Sequence, residues 1–231
     1  MRRTGIVLTG ILAGCAGSMG MDRGPVSPTA AQVVFDDARI EQALAKRPQL
    51  PERVRIAVLF RAPPDGGEDP SWRWDFEERE RVVAAGRDLP RVDLFPLAGA
   101  AGADLGAIRL AAAEHGADAV LIVGGSAEYE TDGTPWVVTY PLVLPLLFAP
   151  AQELETRFHI AAAMYDVRNG FLYLTAEAEA VDEQRRAHLW TDREDGVDAA
   201  KPRSVERLSA ELSRRLAHLT GAPAPGRRAR R

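Results

Sequence analysis

The stretch DLGAIRLAAAEHGADAVLIV, residues 104–123, decides the fold. Asp104 stands where an N-cap belongs, because its carboxylate can accept from the free backbone N–H groups of a first helical turn. Leu105 to His115 is rich in strong helix formers, and Gly116 follows at the place of a left-handed cap. Ala119 to Val123 is then an unbroken apolar run, which suits a strand covered on both sides, and Ala127 to Glu130 can extend it. A helix delivered into a buried strand predicts an α/β layout.

Working outward, Val54 to Phe60 (VRIAVLF) is a second buried-strand run. Pro63-Pro64-Asp65-Gly66-Gly67 after it marks a loop. Trp74 to Arg87 reads as a helix whose Glu77, Glu78, Arg79, Glu80 and Arg81 form a solvated face, and Val92 to Leu97 as a short strand. Strand, helix, strand, helix, strand implies right-handed crossovers and parallel pairing. Further on, Glu155 to Val167 and Phe171 to Ala180 are long strand-like segments split by Arg168-Asn169-Gly170, a strong hairpin signal. Phe158, Ile160, Ala162 and Met164 share one face of the first arm; Leu172, Leu174, Ala176 and Ala178 share one of the second. Asp182 to Arg203 reads as a charged loop before a last helix, Ser204 to Leu219. Val33 to Ala45 reads as a first helix, with Val34, Ile40, Ala43 and Leu44 near one face and Pro48 and Pro51 beyond its end. The expectation is one globular α/β domain over residues 31–220: a mixed sheet, βαβαβ, then an antiparallel hairpin and a C-terminal helix. No internal repeat is visible.

The N-terminus carries an address. Met1-Arg2-Arg3-Thr4 is a basic opening, Gly5 to Leu12 an uncharged apolar run, and Ala13-Gly14 are small residues directly before Cys15. This is the grammar of an export signal with a small-residue cleavage site, and the run is far shorter than the ~20 residues a spanning helix needs. Residues 1–14 therefore read as a signal peptide. Leu12-Ala13-Gly14-Cys15 also matches the bacterial lipobox, in which the thiol accepts a diacylglycerol and the new amine is acylated. Cys15 is the sole cysteine of the 231 residues, so no internal disulfide competes for it. Two or more acyl chains anchor a protein stably where one is marginal. Residues 15–30, rich in Gly, Ser, Pro and Met, read as a lipidated flexible tether, and residues 221–231 as a disordered basic tail ending in Arg227-Arg228-Ala229-Arg230-Arg231. By resemblance to the lipoproteins of didermal bacteria, Ala16 after the cysteine, where no Asp stands, implies the outer membrane over retention at the inner one.

A net charge of −4 creates no global field that would favour nucleic acid, and a chain this long buries a core without staples. Candidates for chemistry each have a plainer reading. His115, His159, His188 and His218 show neither an H-E-x-x-H word nor an i, i+4 pair, so no metal ligands are assigned. Gly124-Gly125-Ser126-Ala127-Glu128 echoes a nucleophile elbow but has Glu128 in place of the second glycine, and a turn or bulge is expected there. Gly99, Gly102 and Gly106 lack dinucleotide-loop spacing and read as a flexible connection, so no cofactor is expected. Glu128 with Glu130, and Glu177 with Glu179, fall on common strand faces; such pairs serve acid–base chemistry or form a solvated face. Trp72, Trp74 and Phe76 read as core or lid anchors.

Gly133 to Gln152 (GTPWVVTYPLVLPLLFAPAQ) contains no charged residue. Pro135, Pro141, Pro145 and Pro150 rule out a continuous spanning helix. Either it is a buried strand and turn over the core, or it is an exposed apolar loop that meets a partner, a sister subunit or the bilayer. In the second case Trp136, Tyr140, Leu144, Leu147 and Phe148 are the interaction residues.

Arg55-Ile56-Ala57-Val58, Gly116 to Val123, Thr139-Tyr140 and Tyr165-Asp166-Val167 together resemble the rhombotarget-type bacterial lipoproteins, over about three quarters of the chain. The helix, G-A-D, strand step is also similar, more distantly, to the periplasmic domain of the curli secretion channel and the N-terminal domain of the Tol-Pal translocation protein. These resemblances imply an anticodon-binding-like sheet and an envelope address, and bring no catalytic residue. The expected protein is a non-enzymatic lipoprotein, held at Cys15 and acting on an envelope protein partner as an accessory or assembly factor of an outer-membrane or secretion system. Two alternatives stand beside it. A homo-oligomeric channel component with an apolar 133–152 hairpin predicts a ring on sizing in detergent; an envelope hydrolase predicts the carboxylates or Ser126 converging.

Overall fold

The computed structural model describes residues 37–61, 72–99, 103–133, 152–186 and 193–222. Five strands form one mixed sheet: β1 Val54–Phe60, β2 Val92–Pro96, β3 Ala119–Gly133, β4 Gln152–Asp166 and β5 Leu172–Arg186, in the spatial order β2-β1-β3-β4-β5. β1 pairs in parallel with β2 and β3, while β3–β4 and β4–β5 are antiparallel. The helices are α1 Asp37–Ala45, α2 Phe76–Ala84, α3 Leu105–Glu114 and α4 Arg193–Leu219.

The strand order decides which face each helix covers. The chain steps from β1 to β2 on one side, then crosses back over β1 to reach β3 on the other. Two right-handed crossovers of opposite sense put their helices on opposite faces. Accordingly Val82 of α2 joins Ile56, Val58 and Leu121 in one core cluster, whereas Ile108 and Ala112 of α3 join Ala57, Leu59, Val120 and Ile122 in another. β1 is buried on both sides for this reason, as its continuous apolar run foretells. α4 adds Leu208, Leu212 and Leu216 to the first cluster, against Phe158, Ile160, Ala162 and Met164.

Local signals act where the sequence places them. The Asp104 carboxylate accepts from the Ala107 N–H at 2.8 Å, and Gly116 adopts φ +70°. In the G-A-D step, Asp118 accepts from the Arg55 N–H at 3.1 Å and from the Arg168 guanidinium at 2.9 Å, fastening the start of β3 to β1 and to the hairpin turn. In that turn the buried Asp166 carboxylate accepts from the backbone N–H of Arg168 and Asn169 and from the Tyr173 hydroxyl, at 2.7, 3.1 and 2.5 Å.

Several expectations are corrected. The Gly124–Glu128 segment is neither turn nor bulge: β3 runs through it unbroken in register with β4. A Cβ on Gly125 would lie 2.9 Å from the Phe158 ring and 3.1 Å from that of Trp72, so the glycine serves aromatic approach. Asp182 to Arg203 is not a loop throughout: Asp182 to Arg186 belong to β5, and Arg193 to Arg203 belong to α4, with Pro202 inside the helix. Pro202 removes one backbone donor, and the packing of Val197, Ala200, Val205 and Leu208 on the core carries the helix across it. The first helix begins no later than Asp37, yet contributes no buried residue, with Ile40 and Leu44 exposed. Phe76 is exposed, so Trp72 and Trp74 are the core anchors of their trio. Glu78 leaves the solvated face for the interior. Its carboxylate completes a capping box with Asp75 and meets the Lys201 ammonium at 3.1 Å, and Lys201 also donates to the Arg73 carbonyl at 2.5 Å. Both side chains are buried and link α2 to α4.

Candidate functional site

Strand parity sorts the residues of β3, β4 and β5 onto two unlike faces. The face beneath α4 holds Ala127, Phe158, Ile160, Ala162, Ala176 and Ala180, all buried. On the other face the register aligns Ser126 with His159 and Glu179, Glu128 with Arg157 and Val181, and Glu155 with Glu183. Glu177 lies one step along, opposite Ala161. Sequence reasoning therefore paired the carboxylates correctly by strand period, and the structure adds Ser126, Arg157 and His159 to the same surface.

Electrostatically this surface is lopsided. Among the side chains described on it, Glu128, Glu155, Glu177, Glu179 and Glu183 stand with the guanidinium of Arg157. Arg157 reaches Glu155 at 2.6 Å and Glu179 at 3.8 Å. His159 is 7% exposed; its Nε2 stands 3.7 Å from a Glu177 oxygen, and its Nδ1 is buried with no hydrogen-bond partner among the described residues. A distance of 3.7 Å is too long for a hydrogen bond. The row Ser126, His159, Glu179 thus brings together the residue types of a nucleophile relay without the hydrogen-bonded geometry a relay uses.

The edge of this surface is β5. The Arg207 guanidinium, reaching over from α4, donates to the Glu179 carbonyl oxygen at 2.5 Å. That oxygen therefore points away from β4, and the Glu179–His159 pair is of the non-hydrogen-bonded kind. α4 borders the edge with Arg203, ion-paired to Asp182 at 2.7 Å, and with Arg214 and Arg215, both paired to Glu211. The Glu211 carboxyl is held below its ordinary value, first by the hydrogen bond from Arg215. Near the hairpin end a cleft of about 420 Å³ lies among Tyr173, Leu174, Glu211, Arg214, Arg215, His218 and Leu219. The Tyr173 hydroxyl, donating to Asp166 and accepting from the Gln49 N–H at 2.8 Å, has its pKa raised to about 12, by burial first and by that carboxylate second.

Other sequence candidates are placed as follows. His115 caps α3, its Nδ1 2.8 Å from the Ala111 carbonyl, and His218 borders the cleft. Gly99 has φ +86° and Gly106 lies within α3. Cys15, the 1–14 leader, the tether, His188 and Gly102 lie outside the described residues, as does the tail beyond Ala222. So do residues 134–151, with Trp136, Tyr140, Leu144, Leu147 and Phe148; their flanks, Gly133 and Gln152, are paired across β3 and β4. Among the described residues no helix is long and apolar enough to cross a membrane, and no group of three His, Cys, Asp or Glu could hold a metal ion. The Lys201–Glu78 pair and the Arg207 bond to the edge were missed. Neither has a local signal: the first joins residues far apart in the chain, and the second depends on which strand ends the sheet.

No protein-family model matches the chain, and no curated protein matches it. Solved structures with which it aligns include a PelC dodecamer from Paraburkholderia phytofirmans, 12% identical, covering 71% of this chain and 94% of that one at a TM-score of 0.34. The hypothetical protein CT253 from Chlamydia trachomatis is 15% identical, with 73% and 96% covered and a TM-score of 0.38. Lipoprotein GNA1162 from Neisseria meningitidis is 16% identical, with 58% and 87% covered and a TM-score of 0.32. The comparisons bring no support for the likeness to the curli secretion channel or the Tol-Pal translocation protein. At such identities and scores no residue role, ligand or assembly passes from these proteins to this chain.

Proposed function

We propose that this chain is a lipid-anchored protein of the bacterial cell envelope, at the outer membrane, that works without catalysis by holding another envelope protein as an accessory or assembly factor. The observation that carries the anchor is Leu12-Ala13-Gly14-Cys15 behind a short basic-apolar leader, in a chain with no other cysteine. What supports action by contact is the surface of β3–β5: a broad acidic face beside a long sheet edge. Fractionation of cells carrying the native chain and Cys15→Ala tests the anchor, with the variant expected to leave the membrane pellet. Retention of Cys15→Ala in the membrane would count against it. Cross-linking in intact cells tests the contact role: a defined envelope partner is expected, and its absence across cross-linker lengths would overturn that role.

A second reading, hydrolysis, is favoured by one observation, the alignment of Ser126, His159 and Glu179 in a single row. It predicts covalent labelling of Ser126 by a fluorophosphonate, lost in Ser126→Ala. Absence of labelling removes it.

A further inference from the structure

We propose that the outer edge of β5, from Thr175 to Glu183, is a strand-accepting site that takes an extended basic segment of a partner polypeptide as a sixth strand of the sheet. The proposal rests on the contact reading above and needs no lipid anchor.

The first support is geometric. Among the described residues β5 ends the sheet, with β4 on one side and no strand on the other. The opposite edge, β2, is blunted by shortness at five residues, whereas β5 runs for fifteen. Because the Glu179 carbonyl points outward, to Arg207, the N–H and C=O groups of Thr175, Glu177, Val181 and Glu183 point outward too, by the two-residue period of an antiparallel pair. Arg207 meets one acceptor of that row. Over Thr175–Glu183 (TAEAEAVDE) no proline breaks the row, and the charges that guard the edge are all acidic. Nine residues of strand extend roughly 30 Å, enough to order a short peptide.

Charge selects the occupant. The side chains of the outward row include Glu177, Glu179 and Glu183, all on the acidic face. A second copy laid antiparallel along this edge would crowd two glutamate rows onto one face, where directly opposed like charges repel. An incoming strand with Lys or Arg at every second position sets cations opposite those glutamates. Its alternate residues face the side of Arg203 and Arg207 and are best small, polar or acidic. Backbone hydrogen bonds give such a strand affinity, and the alternating side chains give it specificity.

The test uses the full-length protein in detergent and a fluorescent nine-residue peptide of alternating Thr and Lys. Controls are its Thr–Glu counterpart and a version N-methylated at alternate residues. The Thr–Lys peptide should bind at least ten-fold more tightly than either, and should slow hydrogen exchange at the outward amides of Thr175, Glu177, Val181 and Glu183. Val181→Pro removes one outward N–H while leaving the β4 ladder intact, and should weaken binding ten-fold or more. Should that variant fail to fold, Glu177→Lys/Glu179→Lys serves instead and should reverse the preference toward the Thr–Glu peptide. Equal binding of the N-methylated peptide would reduce the effect to charge alone and overturn the strand site. So would protection elsewhere on the chain, or self-association through this edge that the peptide cannot displace. A partner cross-linked in cells through another surface, with no peptide binding, would sink this site while leaving the contact role standing.

Discussion

The two faces of β4 are chemically unlike. Toward α4 it presents Phe158, Ile160, Ala162 and Met164, each at most 1% exposed. One residue out of step, it presents Glu155, Arg157 and His159 to the acidic side. Both sets stand on the same backbone and share the same ladder, so a slip of one residue would exchange them. The first set holds the register; the second is what that register displays. Stability and recognition thus occupy opposite sides of one strand, and substitutions should separate them cleanly.

The largest effect belongs to the α4 side. Phe158→Ala should cost about 3–5 kcal/mol in chemical denaturation, since Phe158 meets Trp72 edge-on at 5.0 Å and its carbonyl accepts from Ser204 at 2.7 Å. A loss below about 1 kcal/mol would mean that this face does not set the fold. Comparable in size is Lys201→Met, which strands the buried Glu78 carboxylate and should cost about 3–5 kcal/mol. Pairing it with Glu78→Leu should restore much of the loss, because two apolar side chains leave no buried charge. A double variant no better than the single would show that the ion pair itself is needed.

A smaller effect should appear at high pH. The Tyr173 phenol is raised from its ordinary value to about 12 in the folded chain. Its contribution is therefore fully present below about pH 10, the unfolded value, and is lost as pH rises through about 12. Denaturation curves across that window should show stability falling in the native chain and flattening in Tyr173→Phe. Identical slopes would remove the Asp166–Tyr173 bond from the account. The smallest effect is expected on the acidic side: Glu177→Gln should change stability by no more than about 0.5 kcal/mol. A larger loss would recast the acidic face as structural.

The sequence reads clearly where a residue's role is local. The Asp104 cap, the left-handed Gly116, the Asn169-Gly170 turn and the β1 run all act as their chemistry dictates. It reads less clearly where tertiary packing overrides local preference. Pro202 argues for a break in the chain, and it is burial of Val197, Ala200 and Val205 that carries α4 through it. Gly124-Gly125-Ser126 has the composition of a turn, yet the ring of Phe158 needs the space that Gly125 leaves. Glu78 sits among charged neighbours along the chain, and its partner, Lys201, lies far away on another helix. The acidic pairs were legible by strand period, whereas the edge they border depends on sheet order, which a single sequence does not carry.

These surfaces matter to the envelope only if the chain is held there. Mass spectrometry of the native protein, purified from cells, examines that directly. The account predicts an N-terminal peptide beginning at Cys15, its sulfur carrying a diacylglycerol and its amine an acyl chain. A chain still beginning at Met1 with an unmodified Cys15 would contradict it.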